Sequence, residues 1–443
     1  MDSASGKPIR FQDVLTPGAL KPLISHLQFR FPRWCLARQR IESPRLQDVR
    51  GAVRAQMNQD AIRHAVKPGD RIAVGVGSRH FADMALVVRE CVDALKSLGA
   101  RPFVVPAMGS HGGSTAEGQA ETLAGYGVHE QGLGVPVDPS MDIEVIGRTA
   151  GGVPVKIART VLAADGVIVI ARVKPHTAFR APIESGIAKM LAIGLGKQQG
   201  AESLHRVAIH KFKDLLPEAV QIILQKVKVI AGLAIVENHQ DQTGFLEVIP
   251  GAQILTREPA LLAMAREWMP RILVEECDLL IVDAIGKNIS GDGMDPNVTG
   301  RFAVPDMTGG LRAQKVVVRD LTELTHGSFV GAGSADIVTR RVLEKADFRA
   351  GYMNAITATV LTGVKLPVIM ETDRDAIGLG LMTCNEVEPE QAKVVRIANT
   401  LNLSTIWVSE SVLRDPANQA KLEPLTPMQP MAFDEQEILL DPK

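Results

Sequence analysis

The chain has 443 residues, of which 46% are hydrophobic and 22% charged, and its formal net charge is −1. This length is too great for one ordinary hydrophobic core, so we expect at least two domains. The balanced charge, without a lysine or arginine run, argues against nucleic-acid or polyanion binding as the main task.

The sequence gives no sign of export or of membrane insertion. The first fifteen residues, MDSASGKPIRFQDVL, have no apolar segment of the kind found in a secretory signal, and no run of eighteen uncharged apolar residues occurs. The four cysteines lie far apart without a paired spacing, which is typical of reduced thiols. We therefore expect a cytoplasmic protein without a structural disulfide or a cysteine zinc site.

The first part of the chain alternates short apolar runs with segments of helical periodicity, a pattern that predicts an α/β fold with mostly parallel sheets. A capping box, Ser114-Thr115-Ala116-Glu117, predicts a helix start near Ser114. The other predicted elements are strands at 71–77, 102–108, 165–173, 229–236 and 244–249, a helix from Met84 to Leu98, a hairpin over 142–157, and helices at 183–195 and 215–228.

A second series of elements begins after Trp268-Met269-Pro270, which predicts a domain boundary near 270. We expect two α/β domains, 1–270 and 271–443, with the active site in the cleft between them. The last thirty residues, with five prolines, are expected to wrap over the surface. The predicted elements of this second part are strands at 278–285, 315–320, 366–370 and 404–408, a glycine-rich loop at 286–300, and helices at 335–346, 351–362 and 389–401.

Polar residues follow three of the predicted strands of the first domain, where parallel α/β sheets bind ligands. Arg79, after strand 71–77, could bind a carboxylate or a phosphate through its planar guanidinium, although a solvated arginine is equally expected there. His111 lies in the glycine-rich loop Met108–Ser114, which lets the backbone approach a ligand closely. A buried structural histidine is the usual alternative, but the loop setting favours a functional one.

The third segment follows the most apolar strand and contains Lys174, His176 and the run Ser185-Gly186-Ile187-Ala188-Lys189. A lysine can extend from an apolar helix face into solvent. The apolar neighbours of Lys189, however, predict a desolvated amine with a lowered pKa, which suits covalent attachment. His205 lies sixteen residues beyond Lys189, and the intervening glycines predict a turn that brings the two together.

These segments together resemble the nickel-pincer-nucleotide lactate racemase family. The resemblance covers most of the chain and is strongest from about 71 to 210. Arg79, His111, His176, the run 185–189 and His205 match the family's arginine, its two histidines, its Ser-Gly-x-x-Lys segment and its nickel-binding histidine, in the same order. Any one of these matches is weak, but the ordered set is fairly specific.

The resemblance implies a racemase or epimerase of a small 2-hydroxy acid whose first domain binds the cofactor. In the family, the lysine carries the nickel-pincer nucleotide through a thioamide, which makes Lys189 the attachment point, with Ser185 and Gly186 beside the cofactor. His205 would bind the nickel. His111 and His176 would be the two catalytic bases.

The resemblance also implies roles for two arginines and for partner proteins. Arg79 would hold the substrate carboxylate or the cofactor phosphate. The second domain would close over the substrate, with Arg301 as the substitute for a substrate-side lysine of the family. Cofactor-synthesis proteins are the implied partners, and a homo-oligomer remains open. SGIAK replaces an SGGRK-like run, so the chain looks like a divergent branch whose 2-hydroxy acid, lactate-like or a sugar acid, is not defined.

Two other classes of function stay open on the sequence. A nicotinamide-dependent oxidoreductase or a lyase could act on hydroxy acids, although Gly75-Val76-Gly77 lacks the third glycine of the dinucleotide fingerprint, with His80 in its place. A non-catalytic binder could keep the same fold. Retention of His111, His176, Lys189 and His205 favours the enzyme.

Overall fold

A computed structural model describes residues 16–207, 211–305 and 307–441. The chain forms two compact units. The first unit is Glu42–Met269, and the second joins Pro270–Lys443 to the segment that ends at Ile41. The first fifteen residues, to which the expectation of no secretory signal applies, lie outside the described residues.

Strands make up the framework of both units. The segment 394–397, Val-Val-Arg-Ile, contains three β-branched residues, a composition that suits a buried strand. The strands are β1 (Arg33–Gln39), β2 (Arg71–Val76), β3 (Arg101–Pro106), β4 (Ile143–Arg148), β5 (Pro154–Ala158), β6 (Gly166–Arg172), β7 (Val229–Glu237), β8 (Thr243–Pro250), β9 (Glu276–Ile285), β10 (Arg312–Leu321), β11 (Ile337–Thr339), β12 (Val368–Met370), β13 (Val394–Ile397), β14 (Thr405–Ser409), β15 (Leu422–Pro424) and β16 (Gln429–Pro430).

Helices connect most of these strands. Several begin at a side chain that accepts a backbone N–H at the N-cap, among them Asp48, Thr115 and Thr372. The α-helices are Lys21–Ile24, Val49–Met57, Asp60–Ala65, Met84–Ser97, Ala116–Gly125, Glu130–Leu133, Arg159–Leu162, Gly186–Lys189, Lys197–His205, Phe212–Lys226, Ile254–Trp268, Pro296–Thr299, Arg340–Lys345, Phe348–Ala358, Asp373–Met382, Glu410–Arg414 and Pro416–Gln419, and a π-helical turn spans Met190–Gly194.

The sheet of the first unit has the strand order β3-β2-β6-β7-β8, parallel except for the last pair. Side chains of β6 alternate between two hydrophobic cores. Val167 and Val169 belong to one, and Ile168 and Ile170 to the other. Because helices cover both faces, this strand is apolar throughout, as expected of a parallel sheet. The predicted α/β class with mostly parallel sheets is confirmed.

The sheet of the second unit has the order β12-β11-β10-β9-β13-β14-β1-β15, with β16 also paired to β1. The strands from β12 to β13 are parallel, whereas β14, β1 and β15 are antiparallel. Arg33–Gln39 is therefore a strand of this unit, although the sequence analysis grouped it with residues up to 270. The proline-rich C-terminal segment supplies β15 and β16.

The structure differs from the sequence prediction at three places. Residues 389–401 were expected to be helical, but a 3₁₀ turn at Pro389–Gln391 leads into β13, whose four residues are all buried beside β9. Tertiary burial decides such short apolar runs, which periodicity alone does not resolve. The helix expected from 335 begins at Arg340, after β11, and the helix Asp373–Met382 was not predicted.

None of the helices in the described part of the chain is long and apolar enough to cross a membrane. All four cysteines, Cys35, Cys91, Cys277 and Cys384, are free and buried, as the sequence predicted.

Candidate active site

Four parallel strands of the first unit end at one edge of its sheet. β2 and β6 are neighbours, but the chain leaves β2 towards β3 on one side and leaves β6 towards β7 on the other. Such a reversal opens a crevice beyond the carboxyl ends of the two central strands, which is where open α/β sheets bind ligands. Ser78 and Arg79 follow β2, and Lys174 and His176 follow β6, so these four residues lie at this edge of the sheet.

The loop after β3 is joined to the loop after β2 through His111. The Nδ1 atom of His111 forms a short hydrogen bond with the hydroxyl of Ser78. The Tyr126 hydroxyl donates to the carbonyl oxygen of Ser78 at 3.0 Å. His111 itself is exposed, so its ring is oriented by a neighbouring loop while it stays accessible to a ligand.

A buried carboxylate holds the loop after β6. Glu184 has no exposed surface and accepts the backbone N–H of His176 and that of Ala181, each at 2.9 Å. Arg266, from the helix Ile254–Trp268, forms an ion pair with the same carboxylate. The Nη1 atom of Arg180 lies 3.6 Å from Oε2 of Glu184. Because both backbone amides and both cations meet at Glu184, this side chain fixes the position of His176.

The His176 ring is half-buried and has a defined tautomer. Its Nδ1 atom accepts the backbone N–H of Ala178 at 3.0 Å, so the neutral ring carries its proton on Nε2. Burial, followed by the nearby charges of Lys189, His205, Lys174 and Arg180, holds the pKa of His176 well below its usual value. At neutral pH the ring is therefore uncharged and presents an N–H donor.

Lys189 ends the short helix Gly186–Lys189 and lies among other cations. Burial and the charge of Arg79 lower the pKa of its ammonium to about 8, while Glu184 acts in the opposite direction and Lys174 in the same one. Within the described part of the chain, no hydrogen bond or ion pair involves its Nζ atom. A half-buried amine of this kind is a good nucleophile near neutral pH, because much more of it is unprotonated than in an ordinary lysine.

The chain turns back after Lys189 and brings His205 close to it. The π-helical turn Met190–Gly194 follows directly, and the helix Lys197–His205 then ends at His205. Burial and the charge of Lys189 lower the pKa of His205, while a hydrogen bond with the Ala201 backbone opposes this shift. The His205 ring stacks on Phe212 with centroids 5.5 Å apart. The predicted juxtaposition of Lys189 and His205 is therefore present in the structure.

Other predicted site residues have different surroundings. Arg79 is exposed and close enough to lower the pKa of Lys189. The Ser185 hydroxyl accepts the Lys174 N–H at 2.8 Å and donates to the Lys174 carbonyl at 2.5 Å, which closes the loop. Arg301, in the second unit, donates to the carbonyls of Ala313 and Gln314 and pairs with Asp336 at 2.8 Å. Its guanidinium therefore has a structural role, and substrate binding by Arg301 stays a prediction.

Comparison with known proteins gives a consistent result. Residues 37–214 match the family model of the lactate racemase N-terminal domain. This part of the chain is lactate racemase-like. The fold of the chain is similar to that of the lactate racemase apoprotein from Thermoanaerobacterium thermosaccharolyticum, with a TM-score of 0.53 and 11% sequence identity over 83% of this chain and 94% of that one. No curated protein matches the sequence significantly.

In this lactate racemase-like unit, Glu258 supports the turn that carries Lys189. It lies on the helix Ile254–Trp268, has no exposed surface, and accepts the backbone N–H of Ala188 at 3.0 Å. Gly186 has φ +81°, and a Cβ atom there would collide with Oε1 of Glu258. Burial raises the pKa of Glu258 to about 8, although backbone hydrogen bonds from Ala188 and Ile187 lower it. Oε1 has no hydrogen-bond partner among the described residues.

These surroundings predict a pH dependence of stability that Glu258→Gln removes. The folded-state pKa of Glu258, about 8, is above its ordinary value of 4.5, so its stabilising effect is complete below pH 4.5 and is lost as the pH rises to about 8. Each unit of pKa difference corresponds to about 1.4 kcal/mol. We expect the free energy of unfolding of the wild type, relative to Glu258→Gln, to fall by several kcal/mol between pH 5 and pH 8 in urea titrations.

A second variant separates the charge of Glu258 from its hydrogen bonds. Glu258→Ala also removes the acceptor for Ala188 and should be destabilised at every pH in this range. A constant difference between the wild type and Glu258→Gln from pH 5 to pH 8 would contradict the raised pKa.

Sequence reasoning missed several residues that shape the site: Ser78, Gln119, Lys197 and Glu258. Glu258 lies about seventy residues after the helix it supports, and its only local feature is the following Pro259 inside a helix. Lys197 directly follows Gly196, but the surrounding residues do not complete a phosphate-binding loop pattern. Of these residues, only Ser78 could have been suspected from the sequence, because it directly precedes Arg79 in the loop after β2.

Proposed function

We propose that this protein is a racemase or epimerase of a small 2-hydroxy acid that carries a nickel-pincer nucleotide on Lys189. The observation that carries the proposal is the environment of Lys189. Its amine has a pKa lowered to about 8, has no hydrogen bond or ion pair within the described residues, and lies near His176 and His205. The similarity to the lactate racemase N-terminal domain supports the same reading.

The residues present fit this cofactor. Lys189 offers an unprotonated amine for a covalent bond, and His205 offers a partly exposed imidazole with a lowered pKa, which favours the neutral form that binds metals. Residues 16–207, 211–305 and 307–441 contain no group of three His, Cys, Asp or Glu side chains that could hold a metal ion. A nickel ion bound by one imidazole and by donors of the cofactor does not need such a group.

When bound, the cofactor would supply a pyridinium ring that can accept the substrate's α-hydrogen as hydride and a nickel ion held by two sulfur atoms, a carbon atom and an imidazole nitrogen. The protein's part is binding, orientation and proton transfer. Arg79, exposed beside Lys189, would bind a carboxylate or the phosphate of the nucleotide through its paired N–H groups. Ser185 and Gly186 would shape the backbone beside the cofactor.

His111 and His176 would move the proton of the substrate hydroxyl. His111 is exposed, and a short hydrogen bond between Nδ1 and the Ser78 hydroxyl orients its ring. His176 has its proton on Nε2, so in its present tautomer it would donate a hydrogen bond to the substrate oxygen. To accept a proton at Nε2 it would have to release the Ala178 amide. The expected partners are cofactor-synthesis proteins.

The proposal is tested with protein co-expressed with the cofactor-synthesis proteins. We expect one nickel ion per chain, a mass increase that survives denaturation, and racemisation of lactate or of another small 2-hydroxy acid. Protein that is fully loaded with nickel but has an unmodified Lys189 would contradict the proposal. Activity that depends on added nicotinamide nucleotide would identify an oxidoreductase instead.

We further expect His205→Ala to lose nickel while it keeps the fold. The imidazole is the proposed metal donor, and its ring is exposed at the end of a helix, so its removal leaves no cavity in the core. Elemental analysis should find nickel near background, with an unchanged circular dichroism spectrum. His64→Ala, which removes another exposed histidine of the same unit, is the control and should keep its nickel. Equal nickel in both variants would reject His205 as the ligand.

A further inference from the structure

We infer that Lys197 is a positioning residue for His111 and acts through the side chain of Gln119. The catalytic meaning of this inference depends on the role proposed for His111, but the structural link itself does not. Lys197, Gln119 and the loop Gly109–His111 form a continuous chain of hydrogen bonds. The link joins the turn that follows Lys189 to the loop that carries His111.

Lys197 is unusual in two respects. It has no exposed surface, and burial lowers the pKa of its ammonium to about 8, although Asp138 raises it. Its φ of +54° lies in the left-handed region, which is unfavourable for a residue other than glycine. A charged group without exposure and a strained backbone are both unfavourable for folding. Their combination at one residue indicates that the lysine is kept for a specific contact.

The contacts of Lys197 determine how the Gln119 amide is oriented. The Nζ atom donates to the Pro106 carbonyl at 2.9 Å and to Oε1 of Gln119 at 3.3 Å. A lysine ammonium has only donors, so the oxygen of the amide must face it. The Nε2 atom therefore faces the opposite way. It donates to the Gly109 carbonyl at 2.9 Å and to the His111 carbonyl at 3.2 Å.

The loop is built closely against Gln119. Gly112 has φ +64°, and a Cβ atom there would lie 2.7 Å from the Gln119 backbone nitrogen. Gln119 is itself fully buried. Since both hydrogens of one buried amide hold the carbonyls on either side of Ser110, the backbone at His111 has little freedom. Lys197 thus acts on the backbone at His111 through Gln119, while Ser78 orients the His111 ring.

Two substitutions separate positioning from simple stabilisation. Lys197→Met keeps the length of the side chain and removes the donor, which leaves Oε1 of Gln119 without its partner. Gln119→Glu keeps an acceptor for Lys197 and adds an ion pair, but it cannot donate to the two loop carbonyls. If Lys197 and Gln119 position the loop, both variants should increase the mobility of the loop, although only Lys197→Met removes the hydrogen bonds that Lys197 donates.

The experiment is hydrogen–deuterium exchange of the protein without cofactor, read on peptides that cover 108–114. We expect exchange in both variants to rise at least about tenfold, because each variant removes a hydrogen bond of a buried group. Peptides from β6 should keep wild-type protection and so report that the fold is intact. Lys228→Met is the matched control, since exposed Lys228 also donates to a backbone carbonyl, that of Ala65 at 2.9 Å.

The matured protein supplies a second measurement. Both variants should lower kcat for racemisation about tenfold or more, with KM and nickel content unchanged, because a misplaced base affects the transition state more than binding. If Lys197→Met does not fold, Lys197→Leu, which is shorter and also lacks the donor, takes its place. Wild-type exchange over 108–114 in a folded Lys197 variant or in Gln119→Glu would overturn the inference. If exchange increases in the variants but the matured wild type has no racemase activity, the structural link stands and only the proposed function is rejected.

Discussion

Lys189→Met should yield a protein that stays unmodified after co-expression with the cofactor-synthesis proteins and that has no racemase activity. The wild type should carry an adduct on the peptide that contains Lys189. The physical reason is the state of the amine. With a pKa of about 8, a substantial fraction of Lys189 is unprotonated near neutral pH, whereas an ordinary lysine with a pKa near 10.5 is almost entirely charged. Only the unprotonated amine forms a covalent bond.

The same property can be measured without the cofactor. In the apoprotein, an anionic reagent that reacts with amines should label Lys189 with a midpoint near pH 8. This midpoint is more than two pH units below that of an ordinary lysine. At pH 7.5 the unprotonated fraction should exceed that of an ordinary lysine about two hundredfold. Lys228, an exposed lysine of the same unit, is the internal reference in the peptide map. A Lys189 labelling midpoint near pH 10.5 would contradict the lowered pKa.

Arg79→Met provides a matched test of what lowers the pKa of Lys189. The charge of Arg79 is the largest cause after burial, so its removal should raise the labelling midpoint of Lys189. The adduct should still form in the matured protein, because Lys189 itself is unchanged. An unaltered midpoint would mean that burial alone accounts for the shift.

His111→Ala and His176→Ala should each slow racemisation by about 10²–10⁴-fold, the usual cost of removing one acid–base group. If the two rings serve opposite faces of the substrate, each variant should still react with one enantiomer in a single turnover, and the two variants should differ in which enantiomer that is. The measurement is the change in cofactor absorbance after one enantiomer is mixed with matured protein.

The surroundings of His176 suggest which result would contradict the two-base mechanism. Ala178 holds the ring in the tautomer that donates from Nε2, and the surrounding cations keep its pKa well below the usual value. If His176→Ala slows both enantiomers equally, His176 is a hydrogen-bond donor in both directions and not a second base. Racemisation at the wild-type rate in either variant would remove that histidine from the mechanism. His80→Ala is the control, since His80 is exposed and packs on Tyr126 with centroids 5.2 Å apart.

Part of this site could be predicted from the sequence because parallel sheets place the ends of distant strands at one edge. Long apolar runs such as 165–173 identified the strands, and the polar residues that follow them then had to lie near each other. This reasoning brought Arg79, His111, His176 and Lys189 to the same edge of the sheet. The glycines between Lys189 and His205 indicated a turn, and the structure contains one.

Short elements and domain membership could not be predicted in this way. The capping box at Ser114 was placed one residue early, because Ser114 has φ +61° and Thr115 is the residue that caps the helix. Residues 394–397 form a strand because β9 and β14 lie on either side of them. Arg33–Gln39 belongs to the second unit because its partner strands come from residues beyond 400.

The sequence by itself therefore determined the strand pattern, the α/β class and the residue types at the ends of the strands, because these depend on local periodicity and on the rule that parallel strands share an edge. The tertiary structure alone decided the electrostatic state of the site. Glu184, Glu258 and Lys197 act through burial and through contacts with residues that are distant in the chain. A pKa depends on the water that is excluded and on the charges that come close, and neither can be read from neighbours in the sequence.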